Sequence, residues 1–175
     1  AGMGADLFES YVGSLIAAMT IGIVSFKNTG VESLAPAVLL PLIVAATGVL
    51  SSIIGTFFVK AEEGDKLSSA LERGTLVSGV IVIVASYFLI SNYRAEFGGI
   101  GPFWAVISGL IAGFIIGRIT EFYTSDQYQP VRGIADSSET GPATNIISGL
   151  VVGMRSTLAP LLVISVAILV AHQTS

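Results

Sequence analysis

Long apolar stretches separated by short polar segments dominate the hydrophobic pattern of this chain. Five such stretches occur, and each comes close to the roughly 20 residues needed to cross a hydrocarbon core of about 30 Å. They predict transmembrane helices over residues 6–26, 36–59, 73–92, 100–119 and 143–171. The pattern therefore predicts an all-α integral membrane protein, a multi-helix transmembrane bundle with five spanning helices.

Basic residues concentrate on one side of this bundle if successive helices alternate in direction. The polar segments after the second and fourth helices, together with the helix ends that border them, carry five of them: Lys60, Lys66, Arg73, Arg118 and Arg132. The opposite segments carry only Lys27 and Arg94. Under the positive-inside tendency, the first set is cytoplasmic, and so is the start of the first helix. The longest connection, residues 120–141, is predicted to be an ordered polar segment on the same side.

Composition supports the membrane assignment and narrows the classes of partner. Only 11% of the residues are charged, against about 25% in a soluble domain, and 53% are hydrophobic. The net charge of −4 is spread over the polar segments, so nothing indicates a nucleic-acid partner. The chain has no cysteine and therefore no thiolate metal site.

Two carboxylates at the start of the first helix are the strongest candidates for function. At about 100° per residue, Asp6, Glu9, Ser10 and Gly13 share one helix face, and we call this face the acidic stripe. Ionisable residues in spanning helices are costly and tend to line ion or proton paths. The simpler interpretation is that Asp6 is a first-turn acid stabilised by the helix dipole.

The chemistry of the stripe suits two kinds of cargo. The oxygens of Asp6, Glu9 and Ser10 could together ligate a transported sodium ion, since hard cations prefer oxygen ligands. A transported proton could instead sit on one carboxylate of the close pair. The residues of the stripe alone leave both alternatives open.

Glycines repeat at four-residue spacing in two of the predicted helices. They are Gly109, Gly113 and Gly117 in the fourth helix, and Gly149 and Gly153 in the last. This small-xxx-small spacing is typical of helices whose backbones approach closely. It predicts tight helix packing at both places.

Four segments of the chain together resemble a known family. Residues 1–11, 117–125, 134–150 and 153–156 read AGMGADLFESY, GRITEFYTS, IADSSETGPATNIISGL and GMRS. In this order they closely resemble the membrane-bound inorganic pyrophosphatases, which couple hydrolysis of pyrophosphate to transport of sodium ions or protons. The resemblance implies that residues 1–175 are a partial transmembrane domain, an internal fragment holding about the sixth to tenth helices of the family.

The resemblance also implies roles for the acidic stripe. Asp6 matches the gate aspartate of the ion path, Glu9 matches the gate glutamate in its bacterial position, and Ser10 matches a neighbour that can help to ligate sodium. Pyrophosphate, held by magnesium ions, would bind to residues outside this segment. We therefore expect no catalytic residue and no magnesium ligand here, and the segment alone should be inactive as a diphosphatase.

Further expectations follow from the same resemblance. The full-length protein should be a homodimer in a lipid bilayer, most simply a multi-pass protein of the bacterial inner membrane, with the last helix at or near the dimer contact. Potassium dependence depends on a later helix. Plant-type proton pumps carry the glutamate where this chain has Gly13, which argues against a pump of that type. Sodium pumps and some potassium-dependent proton pumps remain, and the three oxygen ligands of Asp6, Glu9 and Ser10 favour a sodium pump over the alternative of a proton pump. A non-enzymatic secondary transporter is the alternative from another class.

Overall fold

The computed structural model describes residues 2–28, 35–59, 67–92 and 99–174, nearly all of them α-helical. No strand occurs among these residues, so the predicted all-α fold class is confirmed. The helices are α1 Gly2–Asn28, α2 Ala35–Thr56, α3 Leu67–Asn92, α4 Gly101–Thr124, α5 Gln129–Ser138 and α6 Pro142–Thr174.

Five of the described helices are long and apolar enough to cross a membrane, as the hydrophobic pattern predicts. Several extend beyond the apolar stretches: α3 begins at Leu67 rather than 73, and α4 ends at Thr124 rather than 119. The 26 residues of α3 span about 39 Å at a rise of about 1.5 Å per residue, which exceeds a core of about 30 Å. The polar ends of the helices therefore continue the helical hydrogen bonding outside the hydrocarbon.

The helices α1 and α2 pack against each other as an antiparallel pair. Near the start of α1, the Tyr11 hydroxyl donates a hydrogen bond of 3.1 Å to the backbone carbonyl of Ala45. Further along α1, Gly22 packs against Ala37, which lies earlier in α2. A Cβ on Gly22 would lie 2.9 Å from the Ala37 carbonyl oxygen, so a larger residue would force the helices apart. Pro41, which has no N–H, cannot donate the usual helical bond to that same carbonyl.

The helices α2 and α3 approach even more closely. A Cβ on Gly55 would lie 2.8 Å from the Gly74 carbonyl oxygen and would clash with the Ser78 hydroxyl. Gly74 in turn has room for no side chain because Val59 lies against it. Since later residues of α2 meet earlier residues of α3, this pair is also antiparallel.

Small residues and hydroxyls make up much of the buried surface of α2 and α3. Ala37, Ser51, Ala70 and Ser86 are all at least 96% buried. The Ser51 and Ser78 hydroxyls donate to carbonyls of their own helices, at 2.6 and 2.8 Å. Because the hydroxyls of Ser51 and Ser78 bond to their own helix backbone, these two residues can lie between helices without an unsatisfied hydrogen-bond donor.

The end of α3 meets the start of α4 through aromatic rings. Tyr87 and Phe103 lie edge to face with their centroids 5.4 Å apart, and Phe103 is buried. Ile90, on the same part of α3, is 1% exposed. These contacts close the first unit of the chain, residues 1–103.

The second unit, residues 104–175, is built around the turns on either side of α5. At the end of α4, Arg118 forms a 2.8 Å salt bridge with Glu121, and the ring of Phe122 lies 5.2 Å from that of Tyr128. The predicted polar connection thus contains a short helix, α5, which packs on α6. Gly141 joins the two with φ +130°, a conformation that side chains disfavour.

The glycines that pack are not those with the regular spacing. A Cβ on Gly109, Gly113, Gly117, Gly149 or Gly153 would meet no atom of the described chain within 4 Å. Close packing occurs instead at Gly22, Gly55 and Gly74. The predicted tight packing in the fourth and last helices is therefore not found among the described residues.

The Gly55 contact gives a test of this packing. We expect Gly55→Ala to destabilise the full-length protein by about 1–3 kcal/mol, the usual effect of overpacking a tight contact. The measurement is the midpoint of thermal unfolding in detergent. Gly79→Ala on α3 is the matched control, because a Cβ there meets nothing within 4 Å. Equal unfolding midpoints for the two variants would contradict the packing described here.

Candidate functional site

The acidic stripe lies on the exposed face of α1. Asp6, Glu9, Ser10 and Gly13 are all exposed, and they follow one another along one side of the helix. The half-buried residues of α1 lie on the other side: Val12, Leu15, Met19, Gly22 and Ile23. Leu15 is about 180° from Asp6 at about 100° per residue. The contact with α2 therefore turns the stripe away from the neighbouring helix.

Contacts on the far side of α1 set this orientation. Tyr11 and Gly22, which touch α2, lie about 140° and 160° from Asp6 around the helix. The sequence interpretation did not single out either residue as important for the site. The sequence did contain a signal for Tyr11: it places a side chain with a hydrogen-bonding hydroxyl on the helix face opposite the acids.

The stripe supplies only part of a cation site. Asp6 and Glu9 offer carboxylate oxygens and Ser10 a hydroxyl, all on one face, but a hard cation takes about six oxygen ligands or more. Within residues 2–28, 35–59, 67–92 and 99–174, no three His, Cys, Asp or Glu side chains come together as a metal-binding group. A bound ion would thus need ligands from outside the described chain.

Acids elsewhere in the described chain have local roles. Glu121 pairs with Arg118, while Asp126 accepts a 3.1 Å hydrogen bond from the Arg132 side chain through its backbone carbonyl. Asp136 and Glu139 are exposed at the end of α5. All four acids thus lie in or beside the connection between α4 and α6.

Several of the basic residues that predict the orientation of the helices in the membrane lie outside the described ranges. Lys60, Lys66 and Arg94 lie outside them, and the side chain of Lys27 is not described either. Of the remaining basic residues, Arg73, Arg118 and Arg132 are exposed. The cytoplasmic position of the start of α1 therefore stays a prediction from the sequence.

Comparisons with known proteins place the whole chain in one family. The family model described as inorganic H⁺ pyrophosphatase matches residues 1–175. A protein of Clostridium tetani, named as a candidate K⁺-stimulated pyrophosphate-energized sodium pump, is 50% identical over 171 residues, which cover 98% of this chain and 24% of that protein. The match agrees with the resemblance of the four sequence segments.

Two further relatives carry the name of K⁺-insensitive pyrophosphate-energized proton pumps. Pump 2 of Moorella thermoacetica is 45% identical over 98% of this chain and 25% of its own length. The protein of Methanosarcina mazei is 43% identical over 98% of this chain and 24% of its own length. The chain thus spans about a quarter of the length of the curated relatives it matches. With the family model covering every residue, the chain belongs to the inorganic H⁺ pyrophosphatase family.

Proposed function

We propose that this chain is part of a pump that hydrolyses inorganic pyrophosphate and uses the released energy to move sodium ions across a membrane. The observation that carries the proposal is the exposed acidic stripe on a helix long and apolar enough to span a membrane. The family match supports it, and the names of the three relatives describe pyrophosphate-energized ion pumps. No relative's name supports a secondary transporter without hydrolytic activity, so we do not propose one.

In the proposed mechanism, α1 is the gate helix of the ion path. Asp6 receives the ion, and Glu9 and Ser10 lie about 4.5 and 6 Å further along the helix axis, at about 1.5 Å per residue. An ion could thus pass from one oxygen set to the next on a single face. The two carboxylates supply negative charge where the bilayer would otherwise exclude a cation.

The number of oxygen ligands on the acidic stripe favours sodium over a proton as the transported ion. Asp6, Glu9 and Ser10 together offer a sodium ion three side-chain oxygen ligands on one face, two carboxylates and a hydroxyl, whereas a proton needs only one carboxylate. The C. tetani relative is named for sodium, while those of M. thermoacetica and M. mazei are named for protons. A proton pump is therefore the second candidate, and the same residues would serve it.

The hydrolytic centre and its metals belong to other parts of the protein. Magnesium, which the resemblance implies, finds no group of three acidic or histidine side chains in the described residues. Because the resemblance implies magnesium ligands on other helices of the family, we place the magnesium-bound pyrophosphate outside this segment. Potassium stimulation differs among the relatives' names, so we assign no potassium ligand here.

We also propose that the full-length protein is a homodimer in the bacterial inner membrane, with α6 near the contact. The outward side of α6 supports this part of the proposal. Leu150, Met154 and Leu158 are 63–76% exposed, and a Cβ on Gly149 or Gly153 would meet nothing in the described chain. Small and apolar residues of this kind allow a second helix to approach closely.

The gate assignment predicts the effect of removing Asp6. We expect Asp6→Ala in the full-length pump to abolish transport and to lower hydrolysis by about a hundredfold or more. The proposal places a basic side chain of another helix beside Asp6, and leaving such a buried charge unpaired costs about 3–5 kcal/mol. The measurement is pyrophosphate-driven ion uptake into vesicles, with hydrolysis measured on the same preparation. Asp136→Ala on α5, also exposed, is the matched control and should pump normally. Near-normal pumping by the Asp6 variant would reject the gate.

The choice of ion predicts the effect of changing Glu9. If Glu9 ligates sodium, Glu9→Gln should raise the sodium concentration for half-maximal activation of hydrolysis about tenfold, equivalent to about 1.4 kcal/mol. Glu9→Asp keeps an anionic ligand and should raise this sodium concentration less. An unchanged activation constant in the Gln variant, or proton uptake with no sodium requirement, would move the assignment to a proton pump.

The dimer proposal predicts crosslinking along α6. Single cysteines in place of Leu150, Met154, Leu158 or Leu161 should trap a dimer under oxidation at one or more positions. All four residues are at least 60% exposed in the described chain. A cysteine at Leu50 on α2, which is equally exposed, is the control and should give no dimer. Failure to trap a dimer at every α6 position would count against the contact.

A further inference from the structure

A side-chain hydrogen bond links the proposed gate helix to α2, on the side of α1 away from the acidic stripe. The Tyr11 hydroxyl of α1 donates to the Ala45 carbonyl of α2 over 3.1 Å, immediately after Glu9 and Ser10 in the sequence. We propose that Tyr11 is a positioning residue, which sets the rotation of α1 about its axis and so aims the acidic stripe at the ion path. This inference rests on the proposed function of the stripe.

The geometry makes Tyr11 one of two anchors on the same side of α1. Gly22 meets the Ala37 carbonyl about 16 Å further along the helix, at about 1.5 Å per residue. Both contacts lie about 140–160° from Asp6 around the helix. Because the two anchors share one face and are far apart along the axis, together they oppose rotation of the helix as well as tilt.

The two anchors differ in how sharply they define the rotation. The Gly22 contact is a close approach between backbones, which tolerates some turning of the helix. The Tyr11 bond is directional, because the hydroxyl must point at one carbonyl oxygen that is itself fixed by the helical backbone of α2. Among the α1 residues whose side chains are described, those that face α2 are otherwise apolar or glycine and add no second polar contact to set the angle: Val12, Leu15, Met19, Gly22 and Ile23.

The local surroundings of Tyr11 agree with a role in orientation. Its side chain is 43% exposed, so the ring does not fill a buried core position between the helices. Loss of the ring hydroxyl should therefore leave the helix pair packed while releasing the angular restraint. On average, an interhelical hydrogen bond in a membrane changes the equilibrium constant for helix association by about threefold.

Tyr11→Phe in the full-length pump tests the inference, because it removes the hydroxyl and keeps the ring. We expect the number of ions moved per pyrophosphate hydrolysed to fall, and the sodium concentration for half-maximal activation to rise about threefold. The KM for magnesium pyrophosphate should not change, since substrate binds elsewhere. The transport-to-hydrolysis ratio does not depend on how much protein folds, so a purely structural role of Tyr11 would leave it unchanged.

Ser14→Ala is the matched control for the loss of one hydroxyl from α1. The Ser14 hydroxyl donates to the backbone carbonyl of Tyr11 at 2.8 Å, within the same helix, and should not restrain rotation. A normal ratio and sodium constant in Tyr11→Phe, beside a defective Asp6→Ala, would overturn the positioning role alone. Normal pumping by Asp6→Ala would overturn the gate and the positioning role with it. A lowered ratio in Tyr11→Phe but not in Ser14→Ala would support the inference.

Discussion

Close contact between helix backbones at glycine holds the first three helices together. In a bilayer, lipid tails are as apolar as leucine, so the hydrophobic effect gives an apolar helix little reason to prefer another helix to lipid. Packing contacts and hydrogen bonds must supply the preference. In this chain they come from Gly22 against Ala37, from Gly55 against Gly74, and from the Tyr11 bond to the Ala45 carbonyl. Everything proposed about the acidic stripe depends on these contacts, because they determine which side of α1 is left exposed.

The same contacts explain how polar groups are accommodated in an apolar bundle. Pro41 leaves the Ala37 carbonyl without its usual helical donor, and Gly22 lies against that carbonyl. Ser51 and Ser78 return their hydroxyl bonds to their own helices. The carboxylates of Asp6 and Glu9 have no such local arrangement and lie on the exposed side. These structural polar groups thus lie at contacts between helices, whereas the proposed functional ones lie on the exposed face of α1.

The length and hydropathy of the apolar stretches were enough to predict the spanning helices and the fold class. The thickness of the bilayer sets the length of a spanning helix, and little else is needed to recognise one. The packing glycines could not be predicted in the same way. Gly109, Gly113 and Gly117 repeat at four-residue spacing but meet nothing in the described chain, whereas Gly22, Gly55 and Gly74 pack with no second glycine four residues away. Whether a glycine packs depends on the helix opposite, which a spacing within one helix does not contain. The helix α5 was missed because its ten residues carry no long apolar stretch.

The residues of the candidate site could be predicted from the sequence, but the groups that would complete it could not. Asp6, Glu9 and Ser10 stand out because charge is rare in spanning helices, and the 100° periodicity puts them on one face. The structure adds that this face is turned away from α2, so further ligands or counter-charges would have to come from beyond the α1–α2 pair. A chain that spans about a quarter of its relatives has room for such partners in the remaining length. The proposed gate would therefore form one wall of an ion path, and its orientation would be set by α2 through contacts on the opposite side of α1.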